Sequence, residues 1–326
     1  MTYMGKDGFV WFQGVVEDRM DPLFLGRCRI RCLGFHTDDK VKIPTGSLPW
    51  AMPVQPITSA AMSGIGKSPL GPVEGTWVVG FFRDGMNAQE PVFFGTLGGI
   101  PSDGADVTKG FSDPSGTYPK QELVNEQDTN RLARGISADT IVQSKVEAME
   151  GHKEHPTANE AGDDKWSEPD VPFAAKYPKN HVYESESGHV QEFDDTEGAE
   201  RIHTYHKAGT FEEIHPDGSK VIKVVGDDYE LLLGKKFVHI SGNANILVDG
   251  QSTFYVKGDS DIQVDGNVKQ VVGGNVEQEI TGNVEQDITG NFKVDAATIE
   301  MKSSGSINIE TNGNMVLKGT AGIDLN

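Results

Sequence analysis

Along the last third of the chain the apolar positions recur at a fixed interval. Glycines stand at Gly218, Gly226, Gly234, Gly242, Gly250, Gly258, Gly266, Gly274, Gly282 and Gly290, in unbroken succession at a spacing of eight. With each glycine counted as position zero, position six reads Val224, Leu232, Ile240, Val248, Val256, Val264, Val272, Ile280 and Ile288, and then Ala296. Positions two, four and six of an extended chain share one face. Position four is apolar at Ile222, Val238, Ile246, Phe254 and Ile262, is Glu230 once, and changes to Gln270, Gln278 and Gln286. The opposite face is mostly Asp, Asn, Lys, Glu, Gln, Thr and Ser.

Self-similarity at a fixed period outranks local signals. Each octad is therefore expected to be one short strand, apolar inside and wet outside, with the glycine at a backbone corner that a side chain would hinder. Strands that turn a corner every eight residues build a β-prism or β-helix with a continuous dry column inside. Ten octads would make a rod about 50 Å long at one strand spacing per octad. After Gly290 the register slips, with the next comparable glycines at Gly305 and Gly313, and the rod is expected to continue irregularly and taper towards Asn326. The octad alone leaves open whether three octads of one chain close a triangular coil or three chains interwind around one axis; threefold closure of a narrow interior is the simpler of the two. Gln270, Gln278 and Gln286 would be the wettest part of that interior. They would either coordinate ions or line a channel, or hydrogen-bond one another and trapped water as stacked amides.

Elsewhere the pattern is also β. Apolar or alternating runs at Phe9 to Val16, Leu25 to Phe35, Val73 to Phe82 and Val92 to Leu97, broken by Gly- and Pro-bearing turns, predict five or so strands in a small barrel or sandwich. Residues 101–176 lose that pattern, are rich in Asp, Glu, Pro, Ser and Gly, and read as a linker or extended arm with at most one short helix around Ala138 to Met149. Strand patterning resumes from Tyr177, with breaks at Glu197-Gly198, Ala208-Gly209 and Asp217-Gly218. The division is thus 1–100, a barrel domain; 101–176, an acidic arm; 177–217, a β lead-in; and 218–326, the repeat.

Composition sharpens this picture. Gly makes up 39 of 326 residues, and the octad column absorbs ten of them. The formal charge is −20, and it is unevenly placed: residues 1–100 carry nine acids and nine bases, residues 101–175 fifteen and seven, and the remainder twenty-five and thirteen. An acidic chain lacks the Lys and Arg that release phosphate counterions, so nucleic acid is not an expected partner. No apolar run reaches the roughly 18 residues of a membrane span, and the first residues show no secretory signal, so synthesis in a cytoplasm is expected.

Candidate chemistry is sparse. Cys28 and Cys32 alternate with Ile30 on one face of a strand, with Arg27, Arg29 and Arg31 on the other. At roughly 13 Å apart they are too distant for a disulfide. With no His or third Cys at ligand spacing, two small buried residues are expected rather than a metal or redox pair. His203 and His206 fall on opposite strand faces, which argues against a shared metal. Glu147, Glu150, Glu154, Asp163 and Asp164 could suggest a glycosidase pair, but the segment has no packed scaffold to hold them and is expected to carry solvated charge. Ser63 lies in Met62-Ser63-Gly64 with no nucleophile-bearing turn, and a loop role is expected. No catalytic, cofactor-binding or metal-ligating residue is assigned.

Several stretches resemble one family. GVVEDRMDPLFLGRCRIRCLGFH (14–36), LPWAMPVQPITSAAMSGIG (48–66) and GPVEGTWVVGFFRDG (71–85) resemble the OB-fold domain of the central spike, or cell-puncturing, proteins of contractile-tailed bacteriophages. GFSDPSGTYPK (110–120) resembles the stretch that leaves that domain, and ESGHVQEFDDTEGAERI (186–202) the lead-in to a triple-stranded β-helix, which the octads then match. Well-known members carry a lysozyme domain of about 150 residues between these parts; here only 61 residues, most of them polar, lie between Lys120 and Val182.

The resemblance implies an all-β chain: an N-terminal OB-fold barrel, an extended linker and a C-terminal intertwined β-helix in a homotrimer. It further implies a structural, non-enzymatic baseplate spike that punctures the host envelope. Its partners would be a ring-shaped hub at the end of the tail tube, a separate tip protein at the needle's end and, transiently, the host outer membrane. The location would be the tail baseplate of the virion. Related spikes hold iron at the tip through a His-x-His pair, but no His follows His239 here, so none is expected. The alternatives are a trimeric spike that degrades cell wall or polysaccharide, and the spike of a type VI secretion system. Members of the latter carry a hub-like region before the OB-fold, whereas here the barrel pattern begins near Phe9.

Overall fold

The computed structural model describes residues 9–104, 116–136, 154–157 and 165–320. The candidate helix at 138–149 and the carboxylates Glu147, Glu150, Asp163 and Asp164 lie outside the described residues. The chain divides into one unit through Ser252 and a second from Thr253.

Five strands close the N-terminal barrel: β1 (Val10–Asp18), β2 (Cys28–Cys32), β3 (Trp50–Pro53), β4 (Trp77–Phe82) and β5 (Pro91–Leu97). Their order around it is β1-β2-β3-β5-β4, antiparallel except where β3 meets β5. That is the Greek-key closure of an OB-fold. Four of the strands coincide with the apolar runs in the sequence. β3 was not among them, because a four-residue strand ending in Pro53 offers little alternation to read.

Phe12, Val16, Cys28, Ile30, Cys32, Ala51, Val78, Phe82 and Phe93 fill the barrel. The space is tight where β4 crosses Phe12: a Cβ on Gly80 would stand 2.1 Å from the Val92 carbonyl oxygen and 2.6 Å from the Phe12 ring. The pairing of β4 with β5 shifts register at this point. The arginine face of β2 is not uniformly wet. Arg31 is fully buried, its guanidinium paired with Glu17 at 2.7 Å and donating to the carbonyls of Thr37 and Ile43. The Thr45 hydroxyl donates to the same Glu17 carboxylate. The 37–48 loop is thereby laid over the strand, and strand alternation alone carries no sign of it.

A second sheet follows the arm. It is an antiparallel meander of β8 (Asn180–Glu184), β9 (Val190–Asp194), β10 (Arg201–Tyr205), β11 (Phe211–Ile214) and β12 (Lys220–Lys223), paired in chain order. Three of the four turns fall at the expected breaks, with Gly198, Gly209 and Gly218 at positive φ; the β8–β9 turn, with Gly188 also at positive φ, was not expected. Between barrel and meander, β6 (Glu154–Pro156) and β7 (Lys165–Ser167) form a short hairpin, where no strand was expected.

Parts of the arm also pack. Leu132 is buried with Val190, Tyr205 and Phe211, and Val171, Phe173 and Val182 lie against the same cluster. The described part of residues 101–176 is therefore not simply an extended linker. A few apolar residues, spaced too widely to show as periodicity, dock it on the sheet.

Candidate assembly surface

The repeat leaves the sheet without interruption. β12 ends at Lys223, and among the described residues no strand follows it. The backbone instead runs without regular hydrogen-bonded structure between bends at 225–226, 233–234, 241–242, 249–250, 257–258, 265–266, 273–274, 281–282 and 289–290. Every repeat glycine from Gly226 to Gly290 sits at one of these bends. The series then continues at 297, 304–305 and 312–313, so the slip after Gly290 is the loss of one residue from a single octad and the spacing recovers afterwards. Ala297 occupies the bend where a glycine would stand.

Gly218 differs from the others. It closes the β11–β12 hairpin at φ +84°, a backbone conformation that side chains resist. The other repeat glycines carry no positive φ, and a Cβ built on Gly226 through Gly290 meets nothing within 4 Å in this chain. Nothing inside the single chain accounts for their being glycine.

The position-six column is incompletely covered. Val224, Leu232, Ile240, Val248, Val256, Val264, Val272, Ile280 and Ile288 are between 37% and 56% exposed. Position four is more open still at Ile246, Phe254 and Ile262, each above 80%. Gln270, Gln278 and Gln286 are exposed as well. Large exposed apolar side chains repeated at one interval are unusual on the surface of a monomer.

At the root of the repeat the meander holds a buried ionic cluster that the sequence reading missed. Arg201 bridges Glu192 at 3.0 Å and Glu213 at 2.6 Å. His203 Nδ1 lies 2.7 Å from Glu213 Oε2, and His215 Nε2 lies 3.0 Å from Glu213 Oε1. Asn180 Nδ2 donates to Glu192 and to the Leu132 carbonyl, tying the cluster to the docked arm. Burial alone would raise the Glu213 pKa, but His203 and Arg201 outweigh it, and the carboxyl titrates below its ordinary value. The signal was available: Glu192, Asp194, Arg201, His203 and Glu213 share the strand face of Val190, Tyr205 and Phe211.

Between barrel and meander, Arg19 binds Glu186 through two hydrogen bonds of 2.8 and 3.0 Å and Glu74 at 3.2 Å. The Tyr118 hydroxyl also donates to Glu186, and Lys120 donates to its carbonyl. The Arg19 hydrogen bonds, with that from Tyr118, hold Glu186 down to about 2. A carboxylate so held is a structural anion, the opposite of a general acid, which needs a raised value.

The remaining candidates fall as follows. Cys28 and Cys32 are free and buried in the barrel, and burial pushes both thiols up to about 12. His203 is buried while His206 is exposed, on opposite faces of the chain. Among the described residues no group of three or more His, Cys, Asp or Glu is placed to hold a metal. Glu154 pairs with Lys165 across the β6–β7 hairpin. Ser63 sits in an exposed, self-bonded loop at φ +53°.

Comparison with known proteins agrees with the N-terminal barrel. The Gp5 N-terminal OB domain family matches residues 34–172. Protein Gp5 of Vibrio phage KVP40 is 49% identical over 273 residues, which is 75% of this chain and 64% of that protein. The pre-baseplate central spike protein Gp5 of Enterobacteria phage T4 is 52% identical over 130 residues, 38% of this chain and 22% of that protein. The chain thus matches a little under two thirds of the first relative's length and about a fifth of the second's. The closed five-stranded barrel agrees with the matched OB domain, and over these stretches the chain is similar to phage Gp5 proteins, one of which is named a pre-baseplate central spike protein.

Proposed function

We propose that this chain is the central spike of a contractile tail, a homotrimer whose repeats interwind into a triple-stranded β-helical needle that punctures the host envelope. The observation that carries this reading is the column from Val224 to Ile288: apolar side chains at one octad interval, half exposed, on a backbone with no strand partner of its own. Extended backbone must satisfy its N–H and C=O groups somewhere, and two further copies of the same column satisfy both needs at once. The glycines fit the same geometry, because corners uncrowded in one chain become close approaches when three chains stack.

On this reading the needle proper starts at Val224, since Lys220–Lys223 is still the last strand of the meander. The OB barrels, whose sequence block carries no net charge, form the collar and seat on the hub at the end of the tail tube. The acidic arm and needle lead, with a separate protein capping the tip. The role is mechanical rather than enzymatic. Sedimentation equilibrium or native mass measurement of the full chain is expected to give three times the 35.3 kDa chain mass. A monomer at micromolar concentration would remove the interwound needle.

A further inference from the structure

A perfectly regular octad poses a problem of register. Because position six is Val, Ile or Leu from Val224 to Ile288, a chain displaced by one octad against its neighbours buries nearly the same column. Strand register is weakly specified wherever the pattern repeats without variation. The departures from regularity are therefore informative.

Positions two and four exchange character at Gly266. Before it, position two is Ala244, Ser252 and Ser260 while position four is Ile246, Phe254 and Ile262; after it, position two is Val268, Val276 and Val284 while position four is Gln270, Gln278 and Gln286. In the next octad position four is apolar again, at Val294, and position two stays apolar, at Phe292. Nearer the sheet a second irregularity occurs. Glu230 at position four and Lys236 at position two of the next octad are joined, with Lys236 Nζ 2.5 Å from Glu230 Oε2. Both belong to the face of the apolar column, and position four on either side of Glu230 is Ile222 and Val238.

We propose that the Glu230–Lys236 pair and the run Gln270, Gln278, Gln286 are register keys, fixing which octad of one copy lies level with which octad of the other two. The proposal rests on the trimeric needle argued above. With the chains level, glutamine layers meet glutamine layers and their amides pair across copies. A slip of one octad sets Gln270 level with Ile262, Gln286 level with Val294, and Glu230 level with Ile222 or Val238. Each mismatch leaves a polar group in a dry interior without its partner. Isolated polar residues in an otherwise apolar seam are a well-attested way to select one register.

The test uses the full chain carrying a nitroxide at Asn283→Cys; the native Cys28 and Cys32, buried in the barrel, stay unlabelled. Dipolar electron resonance of the trimer is expected to give one narrow distance population. In the variant Glu230→Val, Lys236→Val, Gln270→Val, Gln278→Val, Gln286→Val, the trimer mass persists and additional longer distances emerge from chains displaced by whole octads. A single narrow population in that variant overturns the proposal. If the unsubstituted chain gives no trimer, the needle reading itself fails, which is a different result.

A second arm covers a variant that does not assemble. The chain Ile262→Gln, Gln286→Val moves the glutamine key by one octad and is co-expressed with the unsubstituted chain. Any mixed trimer then mismatches one key or the other, and mixed species are expected about tenfold below their statistical share by native mass spectrometry. Statistical mixing overturns the proposal.

Discussion

Glu213 faces Arg201, His203 and His215 inside the meander with almost no solvent contact. Its folded pKa lies below the ordinary carboxylate value of 4.5. A carboxyl lowered on folding contributes stability that is fully present above its unfolded value and is lost as pH falls through the folded one. The meander is therefore expected to lose stability below about pH 4.5, with the loss visible as a falling urea midpoint. Glu213→Gln should start lower at pH 7 yet decline less steeply in acid, since the group that titrates is gone. Glu213→Ala should cost about 3 kcal/mol at pH 7, because it leaves Arg201 and two histidines around a vacated anion. An unchanged acid slope in Glu213→Gln would assign the pH dependence to other carboxylates.

Among the elements, the strands with clean alternation were legible from the sequence and the ones with mixed faces were not. β1, β2, β4 and β5 stand where the apolar runs predicted, and three meander turns stand at the Gly-bearing breaks. What escaped was packing that links distant segments: the 37–48 loop over Arg31, the short β3, and the arm docked through Leu132. None leaves a local period, because each depends on a few contacts between residues far apart in the chain. The docked arm gives the clearest test. Leu132 is 1% exposed, and its truncation to Ala should destabilise the meander by about 2–4 kcal/mol. Gly135, at φ +75°, would place a Cβ 2.2 Å from the Ala175 carbonyl oxygen, so Gly135→Ala should displace the arm as well. Amide exchange is expected to rise in 116–136 and across the meander in both variants while the barrel stays protected. Uniform exchange throughout would mean that barrel and sheet unfold as one.

Across the whole molecule, charge and apolar surface are arranged for assembly. The formal −20 belongs to the residues after the barrel, and the proposed trimer would concentrate three times that charge along the arm and needle. Such a surface keeps an exposed β structure from pairing edge to edge with other particles. In the proposed trimer the position-six column would face the axis, which predicts opposite outcomes for two substitutions one residue apart. Val264→Asp, or equally Val272→Asp, would bring three carboxylates together in a dry interior, where an unpaired charge costs several kcal/mol per chain, and sedimentation should show loss of the trimer. Gln263→Asp, on the outward side of the same octad, adds the same charge to a wet face and should leave the trimer intact. Assembly of Val264→Asp at native strength would mean that the column does not face the axis. Loss of the trimer in both variants would trace the effect to net charge rather than to the direction in which the residue points.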